Sequence, residues 1–254
     1  MIIMENNFFE ELDNNPGYTK KLSLNSQDLS FFRNSIYKQW KQKISNLSKE
    51  LEKRLNEEKL SISEYHKISP YLDHANIWSK SSRILSRKFF EEFKKTSFYF
   101  ELKKLFGDFE ISDEDNLGYG NIYWRLVRPN KSEDIGPLHR DSWFWELNKN
   151  FPRPDFSFKR IKVWIAIETE IGKSGLLVEN NSHKREDINW EGKFKHGIMK
   201  PVLLDKADSF NMTLVKTLPG DTIIFNDNLL HGGALNLGNK TRVSTEFTIL
   251  QKSI

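Results

Sequence analysis

The sequence predicts a mainly β fold with flanking helices, in which a double-stranded β-helix, or jelly roll, carries an N-terminal helical region packed outside it. Two observations lead to this prediction. Apolar residues recur at helical spacing up to about residue 115, and short β-branched or aromatic segments bounded by turn residues follow. No linker or repeat divides the chain, so we expect one domain over residues 1–254, mostly helical at 1–115 and forming the jelly-roll core at 116–254.

The helical region begins with one long amphipathic stripe. Its apolar residues are three or four positions apart and share one helix face, opposite lysines and glutamates: Ile36, Trp40, Ile44, Leu47, Leu51 and Leu55. The spacing predicts a single long helix here and a second helical run at about 79–106, which Gly107 ends as a C-cap. We expect the apolar faces of both helices to pack on the core.

Six strands are expected in the second half of the chain, at 119–127, 161–168, 175–179, 213–218, 221–226 and 242–250. In the last of them Val243, Phe247 and Ile249 alternate with polar residues, which gives the strand one apolar and one polar face. Two longer irregular stretches, 142–159 and 180–201, interrupt the strands. Long loops on a β scaffold often serve as lids or binding loops.

Composition excludes several kinds of site. The chain has no cysteine, so it cannot form disulfides, thiolate zinc sites, iron–sulfur clusters or a cysteine nucleophile. The net charge is +4, but lysines alternate with glutamates along the chain, which is typical of a solvated surface rather than a nucleic-acid stripe. A mildly basic pocket for an anionic small molecule stays open as an alternative, and the sequence indicates no oligomeric state.

The N-terminus lacks the basic and apolar regions of a signal peptide. No apolar stretch reaches the roughly 18 residues that a bilayer-spanning helix needs. We therefore expect a soluble, cytoplasmic protein with neither a membrane nor a nucleic acid as partner.

Three separated residues have the chemistry of a metal site. His139 and Asp141 are two positions apart, so in extended chain both side chains point to one side and can reach one cation. His231, after the strand expected at 221–226, supplies a second imidazole. Two histidines and one carboxylate leave positions open, as in non-haem Fe(II) oxygenases, whereas a structural zinc site needs a fourth ligand. Taken singly, each motif also fits chance or a histidine bonded to backbone.

Arg242 follows His231 by eleven residues and opens the last expected strand, and Ser244 shares its strand face. A guanidinium fork and a hydroxyl at this place could bind the far carboxylate of a dicarboxylate cosubstrate. The alternative is a surface arginine at a strand start. The order and spacing of the elements together favour the first interpretation.

With these motifs the sequence resembles the phytanoyl-CoA dioxygenase (PhyH-like) family of Fe(II)/2-oxoglutarate-dependent oxygenases over about residues 85–250. The matching motifs are His139-Arg-Asp141, the segments 163–168 and 174–184, Pro219-Gly-Asp-Thr-Ile-Ile-Phe225, His231-Gly-Gly and Arg242-Val-Ser244. The resemblance implies a cupin-like double-stranded β-helix, Fe(II) held by His139, Asp141 and His231, and 2-oxoglutarate and O₂ as cosubstrates. It also implies that Arg242 and Ser244 bind 2-oxoglutarate. Retention of Asp141 favours hydroxylation or another oxidation over halogenation.

Six further residues are candidates around this site. Three are assigned to the cosubstrate pocket, each with a core or barrel-wall role as the alternative: Trp164, Tyr123 and Arg125. Two aromatic residues that follow Asp141 could form an apolar wall over the substrate: Trp143 and Trp145. His183 is a weaker substrate candidate, for which a structural role is favoured.

The function expected from these residues and the resemblance is that of an Fe(II)- and 2-oxoglutarate-dependent dioxygenase. It would hydroxylate or otherwise oxidise a C–H bond of a small molecule, with release of succinate and CO₂. One alternative is a catalytically silent jelly-roll ligand-binding protein, which the intact triad and Arg242 disfavour. Another is a nucleic-acid-repair oxygenase, which the scattered charge disfavours. The fold does not identify the substrate.

Overall fold

The computed structural model describes residues 2–147, 158–195 and 198–252. Helices dominate up to Phe106 and strands dominate after it, as expected. The α-helices are α1 (Ile2–Asp13), α2 (Ser26–Leu47), α3 (Lys49–Glu57), α4 (His74–Ile77), α5 (Arg87–Phe93), α6 (Ser97–Phe106) and α7 (Asp141–Leu147). Short 3-10 turns lie at Ile62–Lys67, Ser69–Tyr71, Ser81–Arg83, Ser132–Asp134, Ser182–Lys184 and Ala207–Ser209. No described helix combines the length and the apolar character needed to cross a lipid bilayer.

The expectation of a single long helix from the first apolar stripe is wrong, because the helical backbone is interrupted at Ser48. The backbone of Ser48 is extended. Its N–H donates to the Ile44 carbonyl at the end of α2, and its hydroxyl accepts from the N–H of Leu51 at the start of α3. A serine side chain competes in this way for backbone hydrogen bonds. The apolar stripe continues across the break, with Ile44 and Leu51 both buried.

The second helical run is also divided. A 3-10 turn precedes α5, and Thr96 begins α6 by accepting a hydrogen bond from the N–H of Tyr99. Gly107 ends α6 as predicted, with a φ of +66° that a residue with a side chain rarely adopts and an N–H that donates to Lys103.

The strands are β1 (Tyr18–Thr19), β2 (Phe109–Ile111), β3 (Tyr123–Val127), β4 (Phe158–Glu168), β5 (Leu176–Glu179), β6 (Trp190–Lys195), β7 (Ile198–Leu203), β8 (Met212–Val215), β9 (Thr222–Asn226), β10 (His231–Gly233) and β11 (Arg242–Lys252). They form antiparallel sheets. The larger sheet has the order β1-β9-β4-β11-β2, with β3 also beside β11, and the smaller has the order β10-β5-β8. The strands β6 and β7 form a separate hairpin. The described strands thus form an open jelly roll rather than a closed barrel.

The larger sheet has two different faces, because residues alternate along each strand. On β4, Val163 joins the hydrophobic cluster that contains the helices, and on β11 Phe247 lies 5.7 Å from Phe93 of α5, centroid to centroid. On the opposite face, Trp164 packs with Val178 of β5 and other residues of the smaller sheet. The alternation predicted for the last strand is therefore confirmed, and its polar face points into the jelly roll.

Both stretches expected to be irregular contain regular structure, so these expectations are wrong for the described residues. The first begins with α7, while residues 148–157 lie outside the described part. The second contains the β6–β7 hairpin, which lies against α7. Gly192 of β6 allows this approach, since a Cβ there would be 2.5 Å from Cδ2 of Leu147. Trp190 and Leu203 of the hairpin are partly buried against the hydrophobic cluster that contains Trp143.

Candidate metal centre

The backbone brings the three expected metal ligands together from two parts of the chain. His139 and His231 form an isolated antiparallel bridge, with N–H to carbonyl distances of 2.9 and 3.0 Å. His231 also opens β10, whose partner β5 holds it in the smaller sheet. Asp141 follows His139 at the first position of α7. The predicted proximity of the triad is therefore present, although its role as a metal site stays a prediction.

The side-chain geometry fits a single small cation. One ligand atom from each of the three residues lies within 4.8 Å of the others. The Nε2 of His231 is 3.5 Å from Oδ2 of Asp141, and the Nε2 of His139 is 3.9 Å from Oδ1. Two atoms that each bond one metal at about 2 Å can be at most about 4 Å apart, and both distances lie within this limit.

The hydrogen bonds of the triad leave both Nε2 atoms and one oxygen of Asp141 free to bind a metal. Nδ1 of His139 is 2.8 Å from the Pro137 carbonyl and Nδ1 of His231 is 2.9 Å from the Leu229 carbonyl. A carbonyl only accepts, so each Nδ1 carries the proton and each Nε2 keeps a lone pair for a metal. Oδ2 of Asp141 is buried without a hydrogen-bond partner among the described residues. A bound cation would satisfy this oxygen.

The protonation states also suit a metal. Burial lowers the pKa of His231 to about 4, and the neighbouring His139 adds to the shift, so the imidazole is neutral at neutral pH. Burial alone would raise the pKa of Asp141, but Lys162 and the two histidines outweigh it and lower the pKa. The site therefore offers a neutral imidazole at His231 and an ionised carboxylate at Asp141.

Arg242 lies inside the jelly roll and has unused hydrogen-bond donors. Its guanidinium carbon is 5.8 Å from the ring centroid of Trp164, and one NH₂ group donates to the Gly175 carbonyl at 2.7 Å. Its Nε is buried without a partner, and no carboxylate of the described residues lies within ion-pair distance. Burial lowers its pKa to about 10, so it keeps its charge at neutral pH. Ser244, also buried, shares this strand face.

The other two cosubstrate candidates already have protein partners. Arg125 donates from Nε to Glu246 at 3.0 Å, and the hydroxyl of Tyr123 donates to Asp115. These contacts fit the barrel-wall alternative that the sequence left open. A contact of either residue with cosubstrate stays a prediction.

The substrate candidates are placed differently from one another. Trp143 is buried and stacks on Trp190 of the hairpin at 5.1 Å, which joins α7 to β6. Trp145 is also buried, with the guanidinium of Arg160 5.3 Å from its ring centroid. His183 donates from Nε2 to the Asp13 carbonyl at 3.2 Å and so ties the end of α1 to the turn after β5.

Two further residues lie beside the triad, and neither belongs to a recognised motif of the sequence. The ring of Phe144 lies edge-on to His139 at 5.4 Å, and Nζ of Lys162 lies 3.6 Å from Oδ1 of Asp141. A signal for Lys162 was present, because it interrupts the otherwise apolar run of β4 at a position that shares a face with Trp164. Buried lysines are rare unless they are paired.

Comparisons with known proteins agree with the fold and the motifs. The chain matches the family model described as Phytanoyl-CoA dioxygenase (PhyH) over residues 34–244. A nickel complex of the non-haem monooxygenase ThoJ has a similar fold at 11% identity, with a TM-score of 0.53 and coverage of 95% of this chain and 76% of that chain. No curated protein matches the sequence.

Two further solved structures share the fold. One is the epimerase SnoN in complex with Fe3+, α-ketoglutarate and nogalamycin RO, at 11% identity, a TM-score of 0.57 and coverage of 99% of this chain and 85% of that chain. The other is the α-ketoglutarate-dependent carbocyclase SnoK, at 12% identity, a TM-score of 0.50 and coverage of 96% and 82%. At these identities the likeness concerns the fold alone.

Proposed function

Because the chain belongs to the phytanoyl-CoA dioxygenase (PhyH) family of non-haem iron, 2-oxoglutarate-dependent oxygenases, we propose that His139, Asp141 and His231 hold its iron. The observation that carries this assignment is the convergence of the three side chains on one point, with a buried oxygen of Asp141 that has no hydrogen-bond partner among the described residues. Bound iron supplies the reaction with O₂, while the protein supplies orientation and a dry pocket.

The far carboxylate of 2-oxoglutarate is assigned to Arg242 and Ser244. Arg242 has a buried Nε with no protein acceptor in the described part of the chain, and its charge has no carboxylate counterpart there. A buried guanidinium of this kind favours a bound carboxylate, which would neutralise it and accept its hydrogen bonds. Trp164 stacks against the guanidinium and would hold it in place.

The reaction we propose is oxidation of a C–H bond of a small molecule, with conversion of 2-oxoglutarate to succinate and CO₂. The SnoN structure, which holds nogalamycin RO, supports a small-molecule substrate. Phe144, beside His139, and the hairpin packed on α7 through Trp143 would keep water from the reacting atoms. Ionised Asp141 would occupy a coordination position of the iron, which supports hydroxylation or a related oxidation rather than halogenation.

An anaerobic titration tests the assignment of both cosubstrate and metal. When 2-oxoglutarate is added to the protein with Fe(II), the weak visible charge-transfer band of the chelate should appear. The variants His139→Ala and Asp141→Ala should not develop this band. His66→Gln is the control, because His66 is not one of the three proposed ligands and bonds the Thr241 hydroxyl instead, so the band should persist. Absence of the band in the unmodified protein would instead favour the silent ligand-binding alternative.

A further inference from the structure

Lys162 is a buried cation that the assignments above leave without a role. It lies on the inner face of β4, directly opposite Thr248 of β11, and its Nζ donates to the Thr248 hydroxyl at 3.2 Å. The Thr248 hydroxyl in turn donates to Glu114 at 3.0 Å. These contacts fix the ammonium group beside the metal triad.

The hydrogen-bonding capacity of Lys162 is mostly unused. An ammonium group has three N–H donors, and Thr248 accepts one of them. The nearest carboxylate oxygen, Oδ1 of Asp141 at 3.6 Å, is at ion-pair distance rather than hydrogen-bond distance. Within the described ranges no other acceptor bonds Nζ, so donors remain for a ligand in the pocket.

The charge of Lys162 also lacks a dedicated partner once a metal is present. In the metal-free protein Lys162 and Asp141 neutralise each other. Three carboxylates lie near enough to act on the charge of Lys162: Asp141, Glu114 and Glu246. Of these carboxylates, Glu246 pairs with Arg125 and Glu114 pairs with Lys80. A divalent ion that takes over the charge of Asp141 would leave Lys162 repelling that ion unless an anion joins it.

The position of Lys162 relative to Arg242 suits a dicarboxylate. Lys162 and Trp164 share one strand face two residues apart, a separation of about 7 Å. Arg242 approaches the same indole from the other direction, since the register places it beyond Ala166 on β4. Lys162 therefore lies on the side of Trp164 that faces the triad, and Arg242 lies on the opposite side.

We propose that Lys162 binds the metal-proximal carboxylate of 2-oxoglutarate, so that the cosubstrate is held between two cations, with Lys162 near the metal and Arg242 at the other end. This inference rests on the proposed function. It makes Lys162 a cosubstrate-binding residue that opposes binding of the metal alone and favours binding of the metal together with the keto acid.

Titration calorimetry of Lys162→Met tests the proposal, with Ni(II) as a redox-inert metal and with two keto acids. In Ni(II)-loaded protein, Lys162→Met should lower the affinity for 2-oxoglutarate by about tenfold or more. It should lower the affinity for 2-oxobutanoate, which lacks the far carboxylate, by a similar factor. Its affinity for Ni(II) alone should be higher, because a cation that repels the metal is removed. Lys162→Arg, which keeps the charge, should recover much of the keto-acid affinity.

Two further variants sharpen the test. Lys159→Met is the matched control, because Lys159 lies on the opposite face of β4 and pairs with Asp13, and it should bind both ligands like the unmodified protein. Thr248→Val removes the acceptor of Lys162 and keeps its charge. It should weaken both keto acids by about threefold or more and carries the test if Lys162→Met does not fold.

The outcomes separate this inference from the function on which it rests. Equal loss of Ni(II) and keto-acid affinity in Lys162→Met would show a structural role and overturn the proposal. Unchanged keto-acid affinity would also overturn it and would leave the metal triad intact. Failure of the unmodified protein to bind Ni(II) would overturn the proposed function together with this inference.

Discussion

At the metal centre, the two histidines differ in environment although both offer Nε2. His231 is buried and opens a strand of the smaller sheet, whereas His139 lies partly exposed next to Phe144. Each imidazole is held by a hydrogen bond from Nδ1 to a carbonyl two residues before it in the chain. The backbone alone thus sets the tautomer at both positions, without help from carboxylates.

Replacement of Arg242 by alanine should weaken 2-oxoglutarate and leave the metal largely unaffected. The loss should be roughly 2–5 kcal/mol, because a buried carboxylate would lose its charged partner. Arg242→Lys should keep only part of the 2-oxoglutarate affinity, since lysine lacks the planar fork of arginine. Calorimetry on the metal-loaded protein measures both. The control is Arg33→Ala, because Arg33 pairs with Glu168 on the helix side of the sheet. An equal loss of 2-oxoglutarate affinity in this variant would refute the role of Arg242.

Acidification should lower the free energy of unfolding of the metal-free protein. Burial lowers the pKa of His231 from its ordinary value near 6.5 to about 4, so between these values the unfolded chain binds a proton that the folded one does not. This contribution is complete above pH 6.5 and is lost as the pH falls toward 4, by at most about 1.4 kcal/mol per pH unit. His66, His74 and His183 have pKa values shifted in the same direction.

Urea unfolding in the presence of a chelator, between about pH 7.5 and about pH 5, measures this dependence. His231→Asn should show a shallower decline than the unmodified protein, because one of the contributing histidines is gone. An identical decline in the two proteins would contradict the assigned shift of His231.

Among the elements, the break between α2 and α3 shows how one hydroxyl ends a helix that the apolar pattern would continue. Ser48→Ala should cost about 1 kcal/mol of unfolding free energy, because the N–H of Leu51 loses its acceptor. Ser30→Ala, at an exposed position inside α2, should change stability by less than about 0.5 kcal/mol. Urea denaturation of both variants gives the comparison, and equal effects would refute a capping role for Ser48.

The sequence predicted elements well where one periodic pattern dominated and poorly where local hydrogen bonds or tertiary contacts decided. The apolar alternation of β11 and the C-cap at Gly107 follow from residue type and spacing. The caps at Ser48 and Thr96 were missed because serine and threonine also occur inside helices. The triad and Arg242 could be found from motif spacing. For Lys162 the sequence shows only a lysine inside an apolar strand, because its partners Asp141 and Thr248 come from distant parts of the chain.

For the whole molecule, we propose that residues 1–254 form a single domain. One hydrophobic cluster joins the helices to the outer face of the larger sheet, and the contact between Phe93 and Phe247 is part of it. The short strands β1 and β2 come from the helical region and pair with β9 and β11 of the jelly roll. Neither part can bury its apolar face without the other.

Unfolding should therefore be a single transition, with helical circular dichroism and tryptophan fluorescence changing together. Phe247→Ala should lower the unfolding free energy by about 3–5 kcal/mol and shift both signals equally. Two separate transitions, or a shift of only one signal, would show that the helical region and the jelly roll fold independently.

Anomalous X-ray diffraction at the iron edge tests the central assignment most directly, in crystals grown without oxygen from protein with Fe(II) and 2-oxoglutarate. One iron peak should lie about 2 Å from Nε2 of His139, Nε2 of His231 and a carboxylate oxygen of Asp141. The far carboxylate of 2-oxoglutarate should contact Arg242. A peak bound by other residues, or no iron between these three side chains, would contradict the assignment.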